Sequence, residues 1–201
     1  MIATTYRSPL GDIMLAADER GLTGLWFAGQ RHFGSTLASD AVELPVALDE
    51  VAEQVEGCDA VSGGCPIEAL DPRNAAAVGV LERAWAWLNA YFAGQDPRWT
   101  PPLHLEGTPF QHEVWVALLS IPRGHTATYG QIARQVAERL HPAEGVSVSP
   151  RAVGGAVGRN PISIIVPCHR VLGADGSLTG YAGGLDRKVA LLELEGVDVA
   201  G

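Results

Sequence analysis

The sequence predicts a mixed α/β (α+β) fold, in which a small antiparallel sheet domain with one helix precedes a mostly helical domain. Three observations predict this class: turn residues separate three short apolar segments at the start, apolar residues later recur at helical spacing, and a proline-rich segment divides the two parts. Residues 96–102 hold three prolines, which exclude a continuous helix or a central strand there. We therefore expect one domain over residues 1–103 and a second over residues 104–201.

The first domain is predicted to open as an antiparallel meander with strands over residues 2–7, 12–17 and 22–27. The segments between them are rich in Gly, Pro, Ser and Asp, which favour turns. A helix follows, and Trp85 and Trp87 are expected to be core or boundary residues of it. Spacings of three and four residues predict its inward face: Val78, Leu81, Trp85, Leu88 and Phe92. No element is assigned to residues 28–74.

Capping patterns predict the helices of the second domain. Thr108 with Gln111, and Thr128 with Gln131, form the Thr-x-x-Gln capping box. The predicted buried stripes are Phe110, Val114, Trp115, Leu118 and Ile121 in the first helix, and Ile132, Val136 and Leu140 in the second. A third helix is predicted to begin at Ser149 and a last one to span residues 183–195, with Leu185, Val189 and Leu192 facing inward. Two successive short helices, the second rich in small residues, predict a helix-turn-helix.

Charge is distributed unevenly along the chain. The net charge of −9 argues against a nucleic-acid partner, because affinity for DNA comes largely from Lys and Arg. However, residues 1–103 hold six arginines and fourteen acidic residues, whereas residues 123–188 hold eight basic and four acidic residues. The second domain is therefore locally basic, which permits DNA binding without requiring it.

Composition predicts a soluble globular protein. Hydrophobic residues make up 47% of the 201 residues, and no apolar stretch approaches the roughly 20 residues of a membrane span. The first residues lack the layout of a signal peptide. Three cysteines do not form a disulfide framework, and a reactive thiol survives best in a reducing compartment. We expect a cytoplasmic protein without a membrane partner.

The most informative motif is Pro167-Cys168-His169-Arg170. It closes the apolar stretch 162–166, which is predicted to be a buried strand that stops abruptly. A cysteine is a nucleophile only as the thiolate, and His169 and Arg170 are neighbours of the kind that lower a thiol pKa. Cys168 is therefore a candidate nucleophile, and a buried structural cysteine is the alternative.

Four ordered blocks carry a resemblance to a known family. They are Ser149-Pro150-Arg151-Ala152-Val153-Gly154-Gly155-Ala156-Val157, Arg159-Asn160-Pro161, Pro167-Cys168-His169-Arg170-Val171 and Gly180-Tyr181-Ala182-Gly183-Gly184. Together they resemble the O6-alkylguanine-DNA alkyltransferases, also called methylated-DNA-protein-cysteine methyltransferases. The resemblance is dense from about residue 108 to residue 196. It implies a ribonuclease-H-like first domain and a DNA-binding alkyltransferase domain after it.

The resemblance implies a single-use transfer of an alkyl group from O6 of guanine in duplex DNA to Cys168, while activity on O4-alkylthymine stays open. His169 matches the family's base, which acts through a bound water, and Glu195 matches the carboxylate that orients it. Tyr129 matches the donor of a proton to N3 of the leaving guanine. Asn160 matches the hinge asparagine between the recognition helix and the active site.

The resemblance further implies that the target nucleotide is flipped out of the duplex. Arg151 matches the finger that fills the vacated stack. Small residues such as Ala152 and Gly155 would let the recognition helix approach the minor groove, and Tyr129 would also face the DNA. The residues assigned to the guanine pocket are Val171, Tyr181, Ala182 and Gly183. A monomer is the default of the family.

Two features depart from the family pattern. The connection 137–148 is longer than in compact relatives. Some relatives bind zinc through N-terminal cysteines and histidines, but Cys58 and Cys65 do not occupy matching places and their spacing is wide for zinc. No metal and no cofactor is therefore expected.

Without the resemblance, other interpretations remain open. Gly154 and Gly155 each cost a helix about 1 kcal/mol relative to alanine, which indicates a close contact with either a packed neighbour or DNA. Glu195 as a surface residue at a helix end and His169 as a hydrogen-bonded core histidine are then the favoured interpretations, and Arg151 is normally a solvated charge. A cysteine hydrolase, a lesion-binding protein without alkyl transfer and a transcription regulator are the rival functions, although Ala, Val and Gly supply few base-reading groups for a regulator.

Overall fold

The structure is a computed structural model that describes residues 1–44, 72–140 and 146–198. Cys58 and Cys65 lie outside these ranges. Within the described ranges, no helix is both long enough and apolar enough to cross a membrane.

The elements group into two compact units, and the predicted mixed α/β class is confirmed. The first unit comprises Met1–Ala28 and Gly34–His104, and the second comprises Gly29–Phe33 and Leu105–Gly201. The second unit thus contains five residues that come from within the sequence of the first.

The first unit is built on a four-stranded sheet. Strands β1 (Ile2–Ser8), β2 (Gly11–Ala17) and β3 (Leu22–Phe27) pair in antiparallel fashion as predicted. Strand β4 (Val42–Glu43) adds in parallel to β1, so that the order is β3-β2-β1-β4. Gly11 has a φ of 102° in the first turn, a conformation that favours glycine and lets the chain reverse within two residues.

Helix α1 (Pro72–Phe92) packs on this sheet, and its existence was correctly predicted. Its inward face is rotated relative to the prediction, because Trp85 and Phe92 are only half-buried and lie against the ring of Tyr6. The buried positions are Ala77, Val78, Val80, Leu81, Ala84, Trp87, Leu88 and Tyr91. Two alanines on this face permit close packing, so the larger rings lie at its border.

The proline-rich linker is held against β3. The backbone N–H of Leu22 donates to the Pro102 carbonyl at 2.8 Å, and the N–H of His104 donates to the Leu22 carbonyl at 2.9 Å. Gly21 is required at this crossing, since a Cβ there would lie 2.8 Å from the Pro102 carbonyl oxygen. The linker is therefore fixed to the sheet by backbone hydrogen bonds.

Three helices of the second unit pack against one another: α2 (Pro109–Leu119), α3 (Tyr129–Leu140) and α4 (Pro150–Val157). Both predicted capping boxes are present, with Thr108 and Thr128 each accepting from the backbone N–H three residues later at 3.2 Å. Local side-chain capping therefore defines where two of these helices begin.

The predicted inward faces of α2 and α3 are correct except at the helix ends. The buried members are Val114, Trp115, Leu118, Ile121, Ile132 and Val136. Phe110 in the first turn of α2 is half-buried. The prediction that Leu140 is buried is wrong, because it is the last residue of α3 and is 36% exposed. Trp115 Nε1 donates to the Ala156 carbonyl at 3.0 Å and ties α2 to α4.

The predicted strand over residues 162–166 is wrong, although these residues are buried as expected. They form consecutive turns, in which the Val166 N–H donates to the Ile162 carbonyl at 3.1 Å. Ile164 has a φ of 67°, which an extended strand does not allow. An apolar β-branched run signals burial, and here a compact turn buries it as well as a strand would.

Helix α5 (Leu185–Leu194) was correctly predicted, but most of its predicted inward face is wrong. Leu192 is buried, whereas Leu185 is 48% exposed and Val189 is half-buried. Lys188 is fully buried in their place, because its ammonium finds two carbonyl partners inside the unit.

Candidate active site

A short parallel strand pair brings several of the predicted residues together around Cys168, the candidate nucleophile. A 3₁₀ turn (Cys168–Arg170) runs directly into β6 (Val171–Leu172), which pairs with β5 (Ala127–Thr128). Because α3 begins immediately after β5, this pairing places Tyr129 beside the strand that leaves the nucleophile. Neither of these two-residue strands was predicted, since they are too short to show a sequence period.

Asn160 is buried and braces the turn that presents the thiol. Its Oδ1 accepts from the Ile162 N–H at 3.0 Å, and its Nδ2 lies 2.8 Å from the Val166 carbonyl. The same Nδ2 lies 3.0 Å from Cys168 Sγ. The side chain therefore holds the positive φ of Ile164 in place and aims an N–H at the sulfur.

His169, Glu195 and Arg170 form one buried network. His169 Nε2 lies 2.9 Å from Glu195 Oε1, and Arg170 contacts both carboxylate oxygens at 2.8 Å. Arg170 also donates to the Ile121 carbonyl at 2.6 Å. The side chains of His169 and Glu195 are fully buried. Buried charges are costly unless they are paired, and the hydrogen bonds given above supply a partner for each charged group of this network.

The network sets the protonation of His169. Burial lowers the pKa of His169 against the opposing pull of Glu195, so the ring is neutral near pH 7. Burial alone would raise the pKa of Glu195, but the hydrogen bonds from His169 and Arg170 hold it well below its ordinary value. The carboxylate therefore takes the Nε2–H, which leaves the lone pair on Nδ1. This nitrogen is buried and makes no hydrogen bond within the described part of the chain, so it is available as a base.

Lys188 was missed in the sequence-based assignment. Its Nζ donates to the Val171 carbonyl at 2.6 Å and to the Thr179 carbonyl at 3.0 Å. Burial lowers the pKa of Lys188 to about 8, and the negative charge of the Cys168 thiolate, where it forms, acts in the opposite direction. Lys188 lies three residues after Leu185 and four before Leu192, so helical spacing placed it on the predicted inward face, but nothing in the sequence indicated the carbonyl partners that let a lysine be buried there.

Tyr129 points to the same loop as Lys188. Its hydroxyl lies 3.2 Å from the Thr179 carbonyl and 3.4 Å from the Gly180 carbonyl. Burial raises the pKa of Tyr129, so the phenol keeps its proton at neutral pH. It can therefore serve as a proton donor at the mouth of the site.

The loop 180–184 contributes the other predicted pocket residues. The Tyr181 hydroxyl is buried without a hydrogen-bond partner in the described residues, and its ring lies edge-on to His169 with centroids 6.5 Å apart. The Ala182 carbonyl accepts from the Arg31 N–H at 2.9 Å, and the Gly183 carbonyl accepts from Arg187 at 3.2 Å. The contact with Arg31 connects this loop to a segment of the chain for which the sequence predicted no function.

Arg151, Ala152 and Gly155 share the exposed face of α4. On the opposite face Val153, Ala156 and Val157 are buried. A Cβ at position 155 would meet only the Arg159 guanidinium at 3.8 Å, so internal packing does not require a glycine there. Tight packing against a neighbour, one of the two alternatives for this glycine, is therefore not observed.

Comparisons with known proteins agree on one family. The model described as the 6-O-methylguanine DNA methyltransferase ribonuclease-like domain matches residues 1–105, and the model of the DNA binding domain matches residues 109–197. A methylated-DNA-protein-cysteine methyltransferase of Methanosarcina acetivorans is 39% identical over 98% of this chain and 99% of its own length. The chain belongs to the 6-O-methylguanine DNA methyltransferase family.

Mycobacterial members of this family are more similar over part of the chain. The Mycobacterium tuberculosis protein of the same name is 55% identical over 117 residues, which are 58% of this chain and 66% of the relative. The alignment thus spans just under two thirds of that relative. The crystal structure of Mycobacterium tuberculosis OGT in complex with DNA matches with a TM-score of 0.66 and 39% identity, over 97% of this chain and 92% of that one.

The protonation state of the Cys168 thiol differs from the one that the sequence predicted. Burial raises the pKa of Cys168 to about 11, although the Asn160 hydrogen bond and the charge of Lys188 act in the opposite direction. The expectation that the neighbours lower this pKa is therefore wrong, and so is the role given to Arg170. The guanidinium is directed at Glu195 and Ile121 instead. The thiol is neutral at rest and needs a base to become a nucleophile.

We expect the alkylation of Cys168 by iodoacetamide to accelerate about tenfold per pH unit between about pH 6 and 8, because only the thiolate reacts and its pKa lies near 11. The Lys188→Met variant should react more slowly throughout, since it loses the charge that favours the thiolate. Peptide mass spectrometry measures the modification at this cysteine. The matched control is Arg134→Met, which removes an exposed positive charge from α3. A rate that levels off near pH 7 would show that the thiolate already exists at rest.

Proposed function

We propose that this protein repairs DNA by direct damage reversal, through one stoichiometric transfer of the alkyl group from O6-alkylguanine in duplex DNA to Cys168. The observation that carries this proposal is the buried thiol with an Asn160 N–H at 3.0 Å, next to a histidine that Glu195 orients. Family membership supports it, since the relatives bear the name of this activity. O4-alkylthymine is a second candidate substrate.

The reaction begins with proton transfer from the thiol to His169 Nδ1 through a bound water. Glu195 stabilises the imidazolium that forms, because Arg170 keeps this carboxylate ionised beside the ring. Lys188 and the Asn160 N–H stabilise the thiolate. Each of these groups is already in place before the substrate arrives, so little reorganisation is needed.

The thiolate then displaces guanine from the alkyl carbon. A sulfur–carbon bond forms as the carbon–O6 bond breaks, and the bonding electrons leave with the purine. Tyr129 donates a proton to N3, so that neutral guanine is released. The thioether on Cys168 is stable and no hydrolytic step follows, so one chain repairs one lesion.

Access to O6 requires a flipped nucleotide, and we propose that α3 and α4 form the helix-turn-helix that binds the duplex. Arg151 fills the vacated stack, while Ala152 and Gly155 face the minor groove. Their exposure on one side of α4 and the absence of a packing reason for Gly155 support this role. The local excess of basic residues over 123–188 provides the attraction for phosphates.

The flipped guanine is proposed to lie between β6 and the loop 180–184. Val171, Tyr181, Ala182 and Gly183 line this pocket. The Val171 carbonyl already accepts from Lys188, but a carbonyl oxygen has a second lone pair that the base can use. The Ala182 N–H is the proposed donor to O6.

The remaining assignments also stay proposals. The domains are residues 1–103 and 104–201, and the protein acts as a monomer without a cofactor, since one chain supplies every group of the mechanism. A catalytic free thiol is best preserved in a reducing compartment, which supports a cytoplasmic location.

Intact-mass analysis after mixing with a duplex that contains one O6-methylguanine tests the proposed function. We expect one added methyl group per chain, located on Cys168 and absent from Cys168→Ser. An unchanged mass with tight lesion binding would indicate a protein that flags the lesion without removing it. An unchanged mass without binding, together with repeated turnover of an ester, would indicate a cysteine hydrolase.

Gly155→Leu is expected to weaken duplex binding at least about tenfold, because the added side chain would stand between α4 and the groove floor. Gly79→Leu is the matched control, since Gly79 is also a helical glycine with open space around its Cβ position. Both variants should gain up to about 1 kcal/mol of helix stability. Fluorescence anisotropy with an undamaged duplex measures the affinity. Equal affinities of the two variants would contradict a DNA-facing role for Gly155.

A further inference from the structure

The segment Gly29–Phe33 leaves the sheet after β3 and belongs to the compact unit that contains Cys168. Nothing in the mechanism proposed above uses it. His32 within it has a φ of 61°, a left-handed conformation that non-glycine residues rarely adopt. Such a conformation persists only where surrounding contacts impose it, which points to specific anchoring of this short segment.

Gln30 provides the first anchor. Its side chain is 5% exposed, and its Oε1 accepts from Ser163 Oγ at 3.1 Å. Ser163 is itself buried and lies between Ile162 and Val166, the two residues whose backbone Asn160 holds. Gln30 and Asn160 therefore fix the same turn at different points, and this turn leads directly into the nucleophile.

Arg31 provides the second anchor through its backbone. Its N–H donates to the Ala182 carbonyl at 2.9 Å, in the middle of the proposed pocket loop. Two consecutive residues thus link the turn that presents Cys168 to the loop that lines the pocket.

We propose that Gln30 is a positioning residue for alkyl transfer, which acts through Ser163 to hold the Cys168 turn in register with the pocket loop. The inference rests on the function proposed above. Gln30 touches no reacting atom, so its effect should appear in the rate of transfer and not in the affinity for DNA. Small misplacements of a reacting group cost up to about 100-fold in rate, which leaves room for a measurable effect.

Single-turnover methyl transfer from an O6-methylguanine duplex, measured over a range of DNA concentrations, tests the proposal. Gln30→Ala should lower the maximal rate constant about tenfold and leave the half-saturating DNA concentration unchanged. Ser163→Ala should lower the maximal rate constant to the same extent, because it removes the other partner of the Gln30–Ser163 hydrogen bond. The double variant should be no slower than either single variant, because both remove one interaction. Arg31→Ala keeps the backbone N–H and should transfer at the wild-type rate.

Three results would overturn the proposal: a wild-type rate for Gln30→Ala, multiplicative losses in the double variant, or a change confined to the half-saturating DNA concentration. Hydrogen exchange of the unmodified protein tests the anchoring even if the variants do not fold, since the Arg31 amide should exchange at least about 100-fold more slowly than an unprotected amide. Unprotected exchange at Arg31 would also overturn it. A wild-type protein that takes no methyl group would instead refute the proposed function.

Discussion

Arg170→Met is expected to lower the free energy of unfolding by about 3–5 kcal/mol, because it leaves the buried Glu195 carboxylate without its main counter-charge. The guanidinium contacts both carboxylate oxygens at 2.8 Å and the Ile121 carbonyl at 2.6 Å. The side chain of Glu195 is fully buried, so water cannot replace these bonds. Urea unfolding followed by circular dichroism measures the loss.

Two further variants test whether the loss of stability is specific to the buried Arg170–Glu195 pair or would follow the loss of any ion pair. Arg139→Met breaks the exposed pair with Glu113, whose contact distance is 2.7 Å, and should cost no more than about 1 kcal/mol. The double variant Arg170→Met with Glu195→Gln should recover part of the stability, because no buried charge is then left unpaired. Similar losses for Arg170→Met and Arg139→Met would show that the buried network is not maintained in solution.

Asn160→Asp is expected to slow methyl transfer by about 100- to 1000-fold, the usual effect of removing one donor from a developing negative charge. The substitution keeps the shape of the side chain and the acceptor for the Ile162 N–H. It replaces the Nδ2 donor at 3.0 Å from Cys168 Sγ with a carboxylate oxygen, which repels the thiolate. Single-turnover transfer from an O6-methylguanine duplex measures the rate.

The same substitution at Asn89 is the control. Asn89 Oδ1 accepts from the Tyr6 hydroxyl at 2.9 Å, a role that an aspartate can also fill. Asn89→Asp should therefore transfer at a rate close to that of the wild type. If Asn160→Asp stays within about threefold of the wild type, the amide does not stabilise the thiolate, and its role is confined to the turn.

Local signals account for the parts of the structure that were predicted correctly. The capping boxes at Thr108 and Thr128 involve residues three positions apart, so they can be predicted from the local sequence. The opening hairpins are predictable for the same reason. Cys168 was a candidate nucleophile from its flanking residues alone. The proposed roles of His169 and Glu195 came from the family resemblance, and the structure brings these two residues into contact.

The errors arise where distant residues decide the outcome. The run 162–166 has the composition of a strand, but the Asn160 side chain supplies partners that a sheet would otherwise provide. Lys188 looks like a surface residue until the carbonyls of Val171 and Thr179 are seen next to it. The pKa of the thiol is high mainly because Cys168 is buried. In addition, Arg170 follows it closely in sequence but directs its guanidinium at Glu195 and Ile121.

The anchoring of Gly29–Phe33 has a consequence for how the chain matures during synthesis. Gln30 and Ser163 are 133 positions apart, so the hydrogen bond between them cannot form until Ser163 has left the ribosome. At about 5–20 residues per second, this delay is roughly 7–27 s. The hairpins of the first unit close early, because their contacts are local. The proposed reactive centre is completed last, because it needs Lys188 from α5 and Glu195, which directly follows α5. A chain truncated before these residues lacks part of the proposed centre.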